Sequence, residues 1–338
     1  EWSKSVIACS WDELVEQSGV ELAQIQALGK IYASSDKTVF AWAMGLTHQL
    51  FGVENIEVVT HLALLRGMIG KAGAGLLPLR GHSNVQGIGS MGVTPVLKEA
   101  IFKNMEEKLG IRLPTKPGLD TMACIQEAFK GNMDFAFFLG GNLYASNPDT
   151  HKAAQALGKI PFQVHLNTTL NQGHLLETEG EVILLPVRTR DEEQEYTTQE
   201  SMFNFVRMSD GGKPRIPNAK SEMDIITTLA QEIIPTETLD FRPFQKTDEV
   251  RMAIAQIIPG FAKIEHLAKS KSEFHIAGRL LKDKTFPTKT GKATFARFFL
   301  PENHLSEKQF KMMSIRSEGQ YNSIIYENED LYRGQTSR

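Results

Sequence analysis

The chain has 338 residues, more than one hydrophobic core usually organises, so two or more domains are expected. Hydrophobic residues make up 41% and charged residues 23%, and 37 basic against 40 acidic side chains leave a formal charge of −3. So small a charge gives no field to hold nucleic acid or an anionic membrane surface, and no apolar run approaches the ~20 residues that span a bilayer.

In chain order, Ser10 and Glu13 have capping-box spacing, which predicts a helix from Trp11 to Gly19. Leu22, Ile25, Leu28 and Ile31 predict a second helix over 21–33. The run Thr38 to Met44 reads as a buried strand ending at Gly45, and 53–68 as a helix stopped by Gly70 and Gly73-Ala74-Gly75. The rhythm returns with a helix over 119–130 and an apolar strand over 134–139 that ends in Gly140-Gly141. A helix over 151–157 and strands over 162–166 and 182–185 follow. From Glu192 to Pro217 the chain turns polar and irregular, before helices over 221–233 and 246–258. After Phe274 short strand-like runs are broken by Pro287, Gly291 and Pro301.

Apolar strands alternating with helices imply an α/β fold with parallel sheets covered by helices. Two such units are expected, joined by the Gly-rich connection from Gly73 to Pro95, and the stretch after Phe274 reads as entry to a β-rich domain. Glu1-Trp2-Ser3-Lys4 holds neither an initiator methionine nor a signal peptide, and the last residues are polar, so an internal piece of a longer protein is expected. Cys9 and Cys124, far apart, argue against a disulfide framework or a cysteine-held cluster here, and fit a reducing cytoplasm.

The segment Pro78 to Gly92 holds the densest candidate chemistry. Its glycines permit close backbone approach, and Arg80 offers a planar donor fork suited to phosphate or carboxylate. His82, Asn84 and Gln86 alternate, so an extended backbone would point them to one side, toward a polar anionic ligand. A solvated loop fits the same composition.

The pieces from Ala43 to Gln49, Leu62 to Gly70 and Leu79 to Gly87 occur in an order that resembles the molybdopterin oxidoreductase family, and most its formate-dehydrogenase-like members. The resemblance implies Rossmann-like sheets binding bis-molybdopterin guanine dinucleotide, with molybdenum or tungsten, and the start of a C-terminal β-barrel. It divides the chain into the end of a first α/β domain (1–82), a second, nucleotide-binding α/β domain (83–273) and the beginning of a cofactor-capping barrel (274–338). The metal's own ligand, and any iron–sulfur cluster, would then lie upstream. Arg80 is implied to orient formate or its product, with Gly45, His82, Asn84 and Gln86 as cofactor contacts.

Further on, Gly140 and Asn142, then His165 and Asn167, resemble strand-end loops that receive the guanine nucleotide. An ordinary βα turn fits the first pair as well. Glu222 resembles an acidic residue that pairs with the guanine edge, although a helix N-terminus also favours a glutamate there. Arg316 and Gln320 resemble pterin contacts of the barrel, or belong to an exposed turn. His61, His151, His174, His266, His275 and His304 lack ligand spacing and read as structural or exposed. The expected partners are a small anionic substrate and the remaining parts of the same protein. Two rivals stay open: a non-catalytic or stress-associated relative, and an oxidoreductase of another small oxyanion.

Overall fold

A computed structural model of the chain describes residues 2–202, 204–277, 284–297, 300–301, 305–312, 320–321, 324–325, 328–330 and 334–336. The chain divides into two compact units. One combines Glu1–Gln86, Glu200–Phe205 and His275–Met312; the other combines Gly87–Gln199, Val206–Phe274 and Met313–Arg338.

In the first unit β1 (Val39–Trp42) pairs in parallel with β2 (Gly75–Pro78), in register from Val39 opposite Gly75 to Trp42 opposite Pro78. The helix Trp11–Ser18 starts where expected, with Ser10 Oγ accepting the Glu13 N–H at 3.1 Å. Helices Leu22–Ser34 and Gly52–Leu65 supply Tyr32, Ala63 and Leu64 to a small core with Phe40, Met68, Ile69 and Leu76. Arg66, just past the second of these helices, lies 5.5 Å from the Tyr32 ring centroid and donates to the Ser35 carbonyl at 2.9 Å. His61 is buried beside Trp2 and Phe295, its Nε2 accepting the Ala296 N–H at 3.1 Å, so it is a packed, satisfied side chain.

Two expectations change here. The first strand ends at Trp42, and Gly45 lies in a short helix, Met44–Thr47. Val39 and Ala41 are exposed while Phe40 and Trp42 are half-buried, so among the described residues one face of β1 is packed rather than both. The Gly-rich connection also contains β2. Between a glycine and a proline, Leu76 and Leu77 carry too little pattern to announce a strand; pairing with β1 makes it one.

The second unit holds a three-stranded sheet. β3 (Phe135–Leu139), β4 (Phe162–Asn167) and β5 (Glu181–Pro186) are all parallel, in that order, as the sequence pattern implies. Side-chain alternation divides the sheet's faces. Phe137, Val164, Leu166, Ile183 and Leu185 pack with Ile225 of the helix Glu222–Ile233. Ala136 and Phe138 face the helices Thr121–Phe129 and Thr150–Gly158 through Ile125, Ala128, Ala156 and Leu157. Each helix begins at a side-chain cap: Asp120 accepts from Ala123 at 2.8 Å, Asp149 from Lys152 at 3.0 Å and Ser221 from Met223 at 3.1 Å.

The polar stretch expected to be irregular carries β6 (Thr197–Ser201) and β7 (Phe205–Ser209), and the short β8 (Phe274–His275) completes that sheet. The turn before it is held by buried Glu192, which accepts the N–H groups of Thr189 at 3.1 Å and Arg215 at 2.7 Å. These bonds hold its carboxyl down at about 2. Much of the segment expected to open a barrel lies outside the described residues; within it β9 (Gln320–Tyr321) pairs antiparallel with β10 (Ile324–Ile325). Among the described residues, no helix is long and apolar enough to cross a membrane.

Leu166, fully buried near the carboxyl end of the central strand β4, packs at the core of the second unit's sheet. Leu166→Ala should lower unfolding free energy by about 2–5 kcal/mol in urea titrations. Val39→Thr, at a site 52% exposed, should change it by about 0.5 kcal/mol or less.

Candidate functional site

In the first unit the candidate residues gather beyond the carboxyl ends of β1 and β2. The Leu79 N–H donates to the Trp42 carbonyl at 2.8 Å, extending the ladder by one residue, so Arg80 emerges beside the start of the Met44–Thr47 helix that holds Gly45. Carboxyl ends of parallel strands are where α/β sheets bind ligands. Arg80 is exposed and makes no hydrogen bond or ion pair among the described residues, which leaves its donor fork free for an anion.

The extended row of His82, Asn84 and Gln86 is not what forms. The chain turns through 81–84 and enters the helix Val85–Ser90. Asn84 has φ 62, a left-handed conformation that asparagine tolerates better than most residues, and its Oδ1 accepts the Glu200 N–H at 3.0 Å. Polar alternation looks the same in a strand and in a turn leading to a helix; the left-handed residue breaks the period.

In the second unit, Gly140, Asn142, His165 and Asn167 do come together. Gly140 and Gly141 have φ 66 and 75, values that a side chain would strain, and a Cβ on either would meet open space. The Gly140 N–H donates to Leu166 at 2.7 Å, tying the turn after β3 to the end of β4. Asn167 Nδ2 donates to the Gly141 carbonyl at 3.1 Å, while its buried Oδ1 has no partner among the described residues. An orphaned buried carbonyl is costly unless a donor arrives. The cleft between these loops encloses only about 20 Å³, less room than a whole nucleotide needs.

His165 stacks on Phe138 at 4.4 Å and 19°, and meets the edge of His174 at 5.0 Å. Burial, and then the His174 charge, push its imidazole down to about 4. His174, read from sequence as structural or exposed, belongs to this cleft, together with Asn171. Their spacing, three residues apart, is that of a cap residue and its reciprocal partner, a legible signal that a histidine in the glutamate's place obscures.

Glu222 arrives at the same edge. Val187 and Lys220 form a parallel bridge beyond β5, and the Arg188 N–H donates to Lys220 at 3.0 Å, so the Ser221-capped helix starts beyond the strand ends. Although Glu222 as a residue is exposed, burial around its carboxyl pushes its pKa up. Gln320 lies in β9, and Arg316 lies outside the described residues.

The family model for molybdopterin oxidoreductases matches residues 13–232. An uncharacterized oxidoreductase of Mycobacterium tuberculosis is 34% identical over 331 residues, 96% of this chain and 42% of the relative. Protein YdeP of Escherichia coli is 31% identical over 347 residues, 99% of this chain and 45% of its own. The F420-dependent formate dehydrogenase subunit alpha of Methanocaldococcus jannaschii is 27% identical over 256 residues, covering 73% and 36%. The chain thus spans less than half the length of these curated relatives.

With its pKa held near 4 against an ordinary 6.5, His165 is protonated more readily in the unfolded chain. Stability should therefore fall as pH drops from about 6.5 toward 4 and level off below. Urea midpoints measured across that window should show a shallower slope in His165→Phe; an unchanged slope would show that His165 is not the group responsible.

Proposed function

The chain belongs to the molybdopterin oxidoreductase family, and on that premise we propose that the whole protein is a molybdenum- or tungsten-dependent oxidoreductase that oxidises a small anion, formate first among them. The observation that carries this reading is Arg80, a guanidinium unpaired among the described residues and set beyond the carboxyl ends of two parallel strands. A fixed guanidinium holds a carboxylate by two parallel donors and favours the negative charge beside it. Formate oxidation releases carbon dioxide, one proton and two electrons, and the bound cofactor supplies that redox chemistry. Arg80 holds and orients the anion, and no protein side chain need remove its hydrogen.

The residues of the second unit fit a guanine dinucleotide. Asn167 Oδ1 lacks the donor that a ligand would bring, and the turn at Gly140 and Gly141 leaves room for close approach. A carboxylate such as Glu222 is a bidentate acceptor for the guanine N1–H and amino group, and burial makes it costly to ionise until such donors pair with it. Gly140, Asn142, His165, Asn167 and Glu222 would hold the nucleotide, with Gly45, His82, Asn84, Gln86, Arg316 and Gln320 along the rest of the cofactor. The free thiols of Cys9 and Cys124 support a reducing cytoplasm as the compartment.

The relative named for formate is 27% identical, and those at 34% and 31% carry no substrate in their names, so another small oxyanion is the second reading; Arg80 suits it too. Metal analysis and formate-dependent dye reduction on the full-length protein decide between them. Arg80→Ala should keep its metal and lose roughly 100-fold or more in kcat/KM. Undiminished formate turnover in Arg80→Ala would remove the assigned role, and a protein without molybdenum or tungsten would sink the enzyme reading.

A further inference from the structure

The loop after β4 grips the turn after β3 at a single atom. Asn167 Nδ2 and Asn171 Nδ2 both donate to the Gly141 carbonyl oxygen, at 3.1 and 3.0 Å. Asn171 is itself held in place, its Oδ1 accepting the Gly173 N–H at 2.9 Å and its own N–H donating to His174 Nδ1 at 3.2 Å. That last bond needs Nδ1 unprotonated, hence a neutral imidazole, and burial lowers the His174 pKa in keeping with this. Gly173 allows the two loops to close, because a Cβ there would lie 2.7 Å from Asn142 Oδ1.

The gripped carbonyl shares a peptide plane with the Asn142 N–H. In a trans peptide the two point in opposite directions, so fixing one aims the other away from the gripping loop. Among the described residues the N–H groups of Gly141 and Asn142 donate to nothing. Consecutive free backbone N–H groups beside left-handed residues form an anion-binding concavity.

Resting on the nucleotide-site reading above, we infer that Asn171 and His174 are positioning residues that, with Asn167, orient the Gly141–Asn142 peptide so that its N–H meets a phosphate oxygen of the bound guanine nucleotide. Neither side chain need touch the nucleotide. His174 fixes Asn171, Asn171 fixes the carbonyl, and the carbonyl fixes the donor.

The test is calorimetric binding of GDP and of guanosine to the whole protein stripped of cofactor, with unfolding midpoints recorded alongside. Asn171→Asp keeps the acceptor for Gly173 but loses the donor to Gly141; His174→Phe keeps the ring but loses the acceptor. Each should weaken GDP roughly tenfold, as loss of one charge-assisted hydrogen bond does, while leaving guanosine affinity and the unfolding midpoint near the parent's. His174→Asn, which offers a carboxamide oxygen near the Nδ1 position, should restore GDP affinity. Parallel weakening of GDP and guanosine, or no weakening in either variant, would overturn the inference while the nucleotide site stands. A parent protein that binds neither ligand would overturn that site reading and the inference with it. If Asn171→Asp does not fold, His174→Phe and its asparagine counterpart carry the same comparison.

Discussion

Parallel pairing of β3, β4 and β5 is the constraint on which the second unit depends. Parallel strands need crossovers that return the chain to the same end, and both faces must be covered before such a sheet is stable. The helices Thr121–Phe129, Thr150–Gly158 and Glu222–Ile233 satisfy that need, and they leave every strand's carboxyl end on one edge. Gly140, Asn167 and Glu222 are 82 positions apart from first to last in the chain, yet they share that edge because the topology repeats.

Burial disfavours charge on three groups of this edge. His165 is pushed toward its neutral form, His174 is lowered as well, and Glu222 is raised. Desolvation dominates each of these shifts. Groups of this kind are suited to directed hydrogen bonds, in contrast with the exposed guanidinium of Arg80 in the first unit, a full charge whose donor fork suits an anion.

Legibility varied with how local the cause was. The helix at Trp11, the strand at Phe135 and the glycines at Gly140 and Gly141 were readable because caps, apolar runs and turn residues act over a few positions. β2 was not, since Leu76 and Leu77 become a strand only through pairing with β1, 36 residues away in register. The alternation of His82, Asn84 and Gln86 misled because period two is meaningful only on an extended backbone, and Asn84 leaves that region. Asn171 and His174 carried cap spacing but no ligand pattern, so their place in the cleft emerged from contacts with β3.

By itself the sequence determined the α/β class, most helix starts, the strand-end glycines and Arg80 as an anion-binding candidate, because each depends on side-chain type and short-range spacing. Only the tertiary structure decided that Gly45 and Arg80 lie beyond neighbouring strand ends, that the 81–90 segment turns into a helix, and that two asparagines converge on the Gly141 carbonyl. Those facts are set by which strand pairs with which and by where a loop closes, and no property of a residue and its near neighbours encodes that pairing alone.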